Sequence, residues 1–204
     1  HKYIIMIRDV VIIGSGNVAW HLGKVLFESG FNILEVVGRN NETTKELAVR
    51  FSANGINELT NTNASADLYI IAVNDDSISK ICESMPQVNG IVVHTSGSIG
   101  LEPLKRFKNY GVFYPFQTLT KEKVINFKSV QLLIEGSSEE VLSQLKKVAS
   151  DISNSVMVTN YDQRKQLHIA AIFASNFVNH FYSIAHSFLK EKNLPFSLLI
   201  PLIE

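Results

Sequence analysis

Val10-Val11-Ile12-Ile13-Gly14-Ser15-Gly16-Asn17-Val18-Ala19 decides the reading of this chain. A β-branched run ends in a glycine turn, and a helical pattern follows through Trp20, Leu22, Val25 and Leu26. That is a strand, a tight turn and a helix start. In such a junction the first glycine, Gly14, allows the turn. The second, Gly16, lets the backbone approach a pyrophosphate, which rests on the helix N-terminus. Ala19 holds the third position, where the pattern accepts alanine. Alone this GxGxxA is a weak signal; at the first strand–helix junction of an alternating α/β chain it is a much stronger one. The competing reading is a tight β–α turn with an empty crevice.

The alternation is present. Strand patterns at residues 8–13, 32–37, 68–73, 91–94, 130–134 and 156–158 are separated by helical patterns at 17–29, 43–51, 75–84, 101–107 and 138–150. Residues 112–114 also read as extended. Asp75 or Asp76 is the expected cap of the third helix. The order predicts an α/β fold, a doubly wound and mostly parallel sheet of Rossmann type, followed by an all-helical C-terminal domain. The expected boundary puts the sheet domain at residues 1–158 and the start of the helical domain at 159–204. Thr159-x-x-Asp162 reads as a capping box, and a helix of about 30 residues runs from it toward Pro195. Residues 167–184 are apolar nearly all round, which predicts a helix buried on most sides. The final Ile200-Pro201-Leu202-Ile203 segment has no closing signal; the expectation is that the chain continues or that a partner covers this surface.

Composition narrows the class. The chain has 204 residues, 46% of them hydrophobic, and its nineteen basic side chains equal its nineteen acidic ones, with no basic run. Nothing points to nucleic acid. No stretch approaches membrane-spanning length. The apolar residues 3–7 are broken by Arg8-Asp9 before a signal h-region can form. A single cysteine, Cys82, excludes an internal disulfide and fits a reducing, cytoplasmic setting. Cys82 reads as a small core residue. The six histidines lack a zinc-like spacing, so no metal is expected.

The choice of dinucleotide turns on the end of strand two, where NAD sites usually carry an acid that bonds the ribose. Here the tip reads Val37-Gly38-Arg39-Asn40, and Glu35 lies inside the strand. A guanidinium there suits a 2′-phosphate, so NADP is expected over NAD, with Arg39 as the contact. The alternative is a solvated loop arginine. In a doubly wound sheet the ligand lies outside the carboxyl ends of the strands. The expected cofactor residues are therefore Gly14, Ser15, Gly16, Asn17, Val18, Arg39, Asn40, Val73 and Asn74. A third loop, His94-Thr95-Ser96-Gly97-Ser98, should lie near the nicotinamide. His94 is either a general acid or a core histidine bonded to a backbone carbonyl. Tyr114-Pro115 carries a raised chance of a cis bond, with trans as the default.

The glycine turn, the His94-Thr95-Ser96-Gly97-Ser98 loop, Tyr114-Pro115-Phe116-Gln117 and the helix His168-x-Ala170-Ala171-x-Phe173-Ala174-Ser175-Asn176-Phe177 together fit one group. The chain resembles bacterial Rossmann-like proteins with a C-terminal helical domain of unknown function, commonly labelled NADP oxidoreductases. It is more distantly similar to pyrroline-5-carboxylate reductases and β-hydroxyacid dehydrogenases. The resemblance implies a homodimer through the C-terminal helices and a small-molecule substrate. It also makes Ser96 the match to a substrate-binding serine. β-Hydroxyacid dehydrogenases place a catalytic lysine one turn before an asparagine; one turn before Asn176 stands Ile172. Lysine acid/base chemistry is therefore not supported, and His168 is the better candidate proton donor, with Asn176 about 12 Å further along the helix axis. The expectation is NADP-dependent hydride transfer to or from an imine or carbonyl, the substrate lying between the Ser96 loop and the His168–Asn176 face. The alternative is a non-catalytic dinucleotide-binding sensor or regulatory protein.

Overall fold

The computed structural model describes residues 6–203. Most of the apolar run at residues 3–7 lies outside that range, as does Glu204. The chain divides into two compact units, the first ending at Arg164 and the second beginning at Lys165.

The first unit is an eight-stranded sheet in the order β3-β2-β1-β4-β5-β6-β7-β8. Its strands are β1 (Asp9–Ile13), β2 (Asn32–Val37), β3 (Asn54–Ile56), β4 (Leu68–Ile71), β5 (Ile91–His94), β6 (Asn109–Phe116), β7 (Gln131–Gly136) and β8 (Ser155–Val158). Between them run α1 (Asn17–Glu28), α2 (Asn41–Arg50), α3 (Asp75–Ser84) and α4 (Glu139–Ile152). All neighbours pair in parallel except β6 and β7. Side chains alternate across β1 as strand geometry requires. Val10 and Ile12 join Leu22, Leu26, Leu47 and Leu145 on one face; Val11 and Ile13 join Ile78, Cys82 and Leu104 on the other. Two buried clusters on opposite faces make the sheet doubly wound.

Several local expectations are corrected. β3 was not anticipated: a three-residue strand pairs with β2 where no strand pattern was read. β7 runs antiparallel to β6. The link between them contains no α-helix to return the chain for a parallel pairing. The 101–107 pattern yields only a 3₁₀ turn at Glu102–Leu104. Asn74, not Asp75 or Asp76, holds the N-cap position of α3; both acids fall in the first turn, where the helix dipole favours them. Every described peptide bond is trans, Tyr114–Pro115 included.

The capping box lies one residue later than Thr159 and uses different partners. Asn160 Oδ1 accepts from Gln163 N at 2.9 Å, and Gln163 Oε1 accepts from Asn160 N at 3.1 Å. Thr159 is still on the ladder, donating its N–H to Ile134 O at 3.0 Å. The helix that follows is α5 (Tyr161–Ala171), a π-helical turn at Ile172–Phe177 and α6 (Val178–Glu191). A short α7 (Ile200–Ile203) ends the described chain.

In the second unit no described residue is buried. Phe173, Phe181 and Phe188 are 64%, 65% and 68% exposed, so the expected burial of this helix on most sides is not found. An all-round apolar pattern asks for neighbours on every side, and the described residues do not supply them. No described helix is long and apolar enough to cross a membrane.

Candidate functional site

The strand order reverses direction between β1 and β4. The chain goes from β1 outward to β2 and β3, then returns to β4 on the other side. Ligands of such sheets bind at this switch point, outside the carboxyl ends of the strands. A cleft of about 570 Å³ lies there, lined by Gly14, Ser15 and Gly16 after β1, Gly38, Arg39 and Asn40 after β2, and Val73 and Asn74 after β4.

The glycine turn has two different glycines. Gly14 sits at φ +124°, and a Cβ added to it would lie 2.1 Å from the carbonyl oxygen of Ala72. Only glycine fits that backbone. Gly16 is the N-cap of α1, with ordinary backbone angles. A Cβ there would meet nothing within 4 Å. The room beside Gly16 is therefore not needed by the protein's own atoms. It leaves the first backbone N–H groups of α1 open to an anionic group.

The second wall is held by α2. Asn40 Oδ1 accepts from the N–H groups of Glu42 and Thr43, each at 3.0 Å, so Asn40 works as the helix cap. Ser15 Oγ and Thr43 Oγ1 share a hydrogen bond of 2.8 Å that ties the glycine turn to α2. Arg39 is exposed in the cleft with no ion pair or hydrogen bond among the described residues. Glu35 is buried and accepts from Asn63 N at 2.9 Å, so no carboxylate stands at the strand tip. Asn17 and Val18 are on the first turn of α1 and do not line the cleft; Val18 packs on the core. Thr43, Asn57, Leu59, Ser77 and Ile81 complete the picture and were missed from sequence. Thr43 carried one signal, its place three residues after a capping Asn40.

The His94 loop is closed on itself. Nε2 of His94 faces the Gly100 carbonyl at 3.0 Å, and Nδ1 faces the N–H of Ser96 at 3.2 Å. A carbonyl can only accept and an N–H only donate, so the ring carries its proton on Nε2. Burial drives the imidazole down to about 4, with the Arg164 charge adding to it against the Gly100 hydrogen bond and the Asp75 and Glu102 charges. His94 is a neutral structural clamp at physiological pH, which removes it as a general acid. Ser96 is buried, and its Oγ accepts from Ser98 N and Ile99 N, both at 3.1 Å. Ser98 Oγ donates to the Asp75 carboxylate. Tyr114 is raised above the usual phenol range by burial and then by the Asp75 charge. Cys82 is buried, and its thiol is pushed up to about 11 by that burial. It is an inert core residue.

In the second unit, His168 is a half-buried residue of α5. Asn176 is exposed and lies inside the π-helical turn. Such turns are frequent at functional sites. The described residues contain no group of three or more His, Cys, Asp or Glu side chains able to hold a metal.

Fold and cleft together define a Rossmann-type α/β protein with an open cleft at its switch point. A family model described as NADP oxidoreductase, coenzyme F420-dependent, matches residues 9–98, and a domain of unknown function, DUF2520, matches residues 130–204. A Bacteroides fragilis protein provisionally described as an NADP oxidoreductase is 40% identical, with a TM-score of 0.88 over 97% of this chain and 78% of its own. The chain belongs to that protein's family. A Thermotoga maritima protein shares the fold at 20% identity and TM-score 0.78, over 95% of this chain and 75% of its own. So does an imine reductase from Myxococcus stipitatus in complex with NADP+, at 15% and 0.70, over 95% and 71%. No curated protein matches.

Proposed function

We propose that this protein is an NADP-dependent oxidoreductase that reduces a small metabolite at an imine or an activated carbonyl. One observation carries the reading: Gly16 leaves open space at the N-terminus of α1, in the same cleft as the unpaired Arg39. The residues present fit the cofactor. Backbone N–H groups around Gly14, Ser15, Gly16, Asn17 and Val18 take the pyrophosphate. Arg39 takes the 2′-phosphate through its planar fork, and Asn40 keeps α2 capped beneath it. Val73 and Asn74 form the wall after β4, and the Asn74 side chain makes no capping bond that would occupy it. NADPH, when bound, supplies hydride to the substrate. Ser96 is the proposed substrate contact, on a loop whose shape is already fixed. His168 is the proposed proton donor and Asn176 a proposed polar contact, both from the helical unit. The Myxococcus imine reductase and a Streptococcus pyogenes 1-pyrroline-5-carboxylate reductase share the fold and act on C=N bonds by name, which supports this substrate class. We further propose a cytoplasmic homodimer whose second copy covers the exposed aromatic stripe.

A sensor of the NADP pool is the second reading. It is favoured by the state of the sheet unit, where the His94 ring and the Ser96 Oγ are committed to holding the loop.

Calorimetric titration with NADPH and NADH, on wild type and Arg39→Ala, tests the cofactor. NADPH should bind the wild type, and Arg39→Ala should lose about 2 kcal/mol of that affinity while leaving NADH alone. Binding of neither nucleotide by folded protein overturns the oxidoreductase reading. A panel of imines and carbonyls, followed by loss of nicotinamide absorbance, then separates enzyme from sensor. In an enzyme His168→Ala binds NADPH normally and loses turnover.

A further inference from the structure

The largest fully buried side chain among the described residues is a charged one, Arg164. It is the last residue of the first unit. Strand register aligns Ile71 of β4 with His94 of β5, His94 with Val112 of β6, and Val112 with Glu135 of β7. Arg164 spans part of this row. One terminal nitrogen pairs with the Glu135 carboxylate, and the other donates to the Ile99 carbonyl at 2.7 Å. Its Nε is buried with no acceptor. A residue that only filled space would not carry a charge and an orphan donor into the interior. What the guanidinium alone supplies is a rigid fork that reaches two acceptors on separate elements.

Those acceptors matter because of the loop between them. Past Thr95, the ties between the His94 loop and other elements include Ser98 to Asp75, and Arg164 to Ile99. Ile99 also donates its N–H to Ser96 Oγ. Arg164 thus grips one end of a peptide whose neighbouring N–H orients the Ser96 hydroxyl. We propose that Arg164 is a positioning residue, which anchors the Ser96 turn to β7 and holds His94 and the loop in their observed arrangement. This rests on the reading of Ser96 as a substrate contact. The charged groups acting on His94 are Arg164 from α5, Asp75 from α3 and Glu102 from the turn after the loop.

The test uses the full chain with Arg164→Met and Arg164→Lys. NADPH affinity by calorimetry checks the cleft, none of whose lining residues is a hydrogen-bond partner of Arg164, and should stay within about twofold. The His94 ring, followed by NMR on histidine-labelled protein, should titrate at least about one pH unit higher in Arg164→Met, because a repelling charge is gone and the loop is looser. Turnover should fall about tenfold with an unchanged KM for NADPH. Arg164→Lys keeps the charge but lacks the fork, so it should shift His94 less, expose the Ile99 amide to exchange and not restore turnover. A folded Arg164→Met with wild-type His94 titration and Ile99 protection overturns the proposal. Should that variant not fold, wild-type Ile99 protection in Arg164→Lys overturns it instead. If wild type binds no NADPH, the functional reading fails, while His94 titration and amide exchange still decide the role of Arg164.

Discussion

The two units of this chain handle apolar surface in opposite ways. The sheet unit folds its own strands and helices over both faces, with Val10, Ile12 and Leu22 on one side and Val11, Ile13 and Ile78 on the other fully or almost fully buried. The helical unit displays Phe173, Phe177, Phe181 and Phe188 at 45% exposure or more. A unit that closes on itself can keep a rigid cleft at its strand ends, where Gly16 leaves room that no packing contact uses. A unit with a large exposed apolar stripe has the kind of surface that association covers, which is the basis of the homodimer proposal. On the proposed reading the first carries the cofactor cleft, and the second carries His168, Asn176 and the apolar contact area. Substitutions that break one should spare the other.

The largest effect is expected at the glycine turn, and two adjacent variants sharpen it. Gly14→Ala forces a Cβ against the Ala72 carbonyl at a positive φ. It should cost about 3 kcal/mol or more of stability. Gly16→Ala meets no protein atom within 4 Å. Its stability cost should stay under about 1 kcal/mol, the scale of a lost N-cap preference. Yet it should weaken NADPH binding at least about tenfold, because the methyl group takes the space the cofactor needs. Urea denaturation beside calorimetry reads both. Equal stability losses for the two variants would mean that Gly16, like Gly14, serves only the turn.

This pair also shows which parts of the site could be read from sequence. The glycine turn was legible because it is local: strand, turn and helix start occupy one continuous stretch, and backbone sterics allow few residues there. Arg39 was legible from its position at a strand tip. Thr43 and Arg164 were not, because their roles depend on partners 28 and 65 residues away in sequence. Periodicity found the strands but not the direction of β7, which depends on a connection with no helix in it. Ser96 was legible only as a candidate substrate contact, through the resemblance. Its two accepted N–H bonds explain why the turn needs a hydroxyl, a detail that only the folded loop supplies.

A smaller effect separates the units by pH. The folded His94 sits near 4, below its ordinary value of 6.5. Its depressed value means that the unfolded chain takes up a proton first as pH falls. The clamp's contribution is therefore complete above pH 6.5, declines between 6.5 and about 4, and is constant below that. The full change is on the order of 3 kcal/mol, at about 1.4 kcal/mol per pH unit. Denaturation of wild type against His94→Gln from pH 7 to 4 should show a wild-type slope that the variant lacks. The groups that act on His94 all belong to the sheet unit, so α6 variants should keep the slope. A wild-type profile parallel to that of His94→Gln would mean that the ring is not held neutral by its burial.

The smallest effect on the sheet unit is expected from the stripe itself. Phe177, Phe181, Ile184 and Phe188 recur at spacings of four, three and four residues, which puts them on one side of the helix. They are at least 40% exposed. Phe181→Lys removes an aromatic that is already 65% exposed, so folding of the single chain loses little with it. What it should remove is association. Sedimentation velocity should find wild type as a dimer and Phe181→Lys as a monomer, with NADPH affinity per chain within about twofold of wild type. A wild-type monomer would end the homodimer proposal and leave the stripe to another partner. A variant that loses both the dimer and NADPH binding would overturn the division of labour between the units, because the cleft would then depend on a surface that none of its lining residues belongs to.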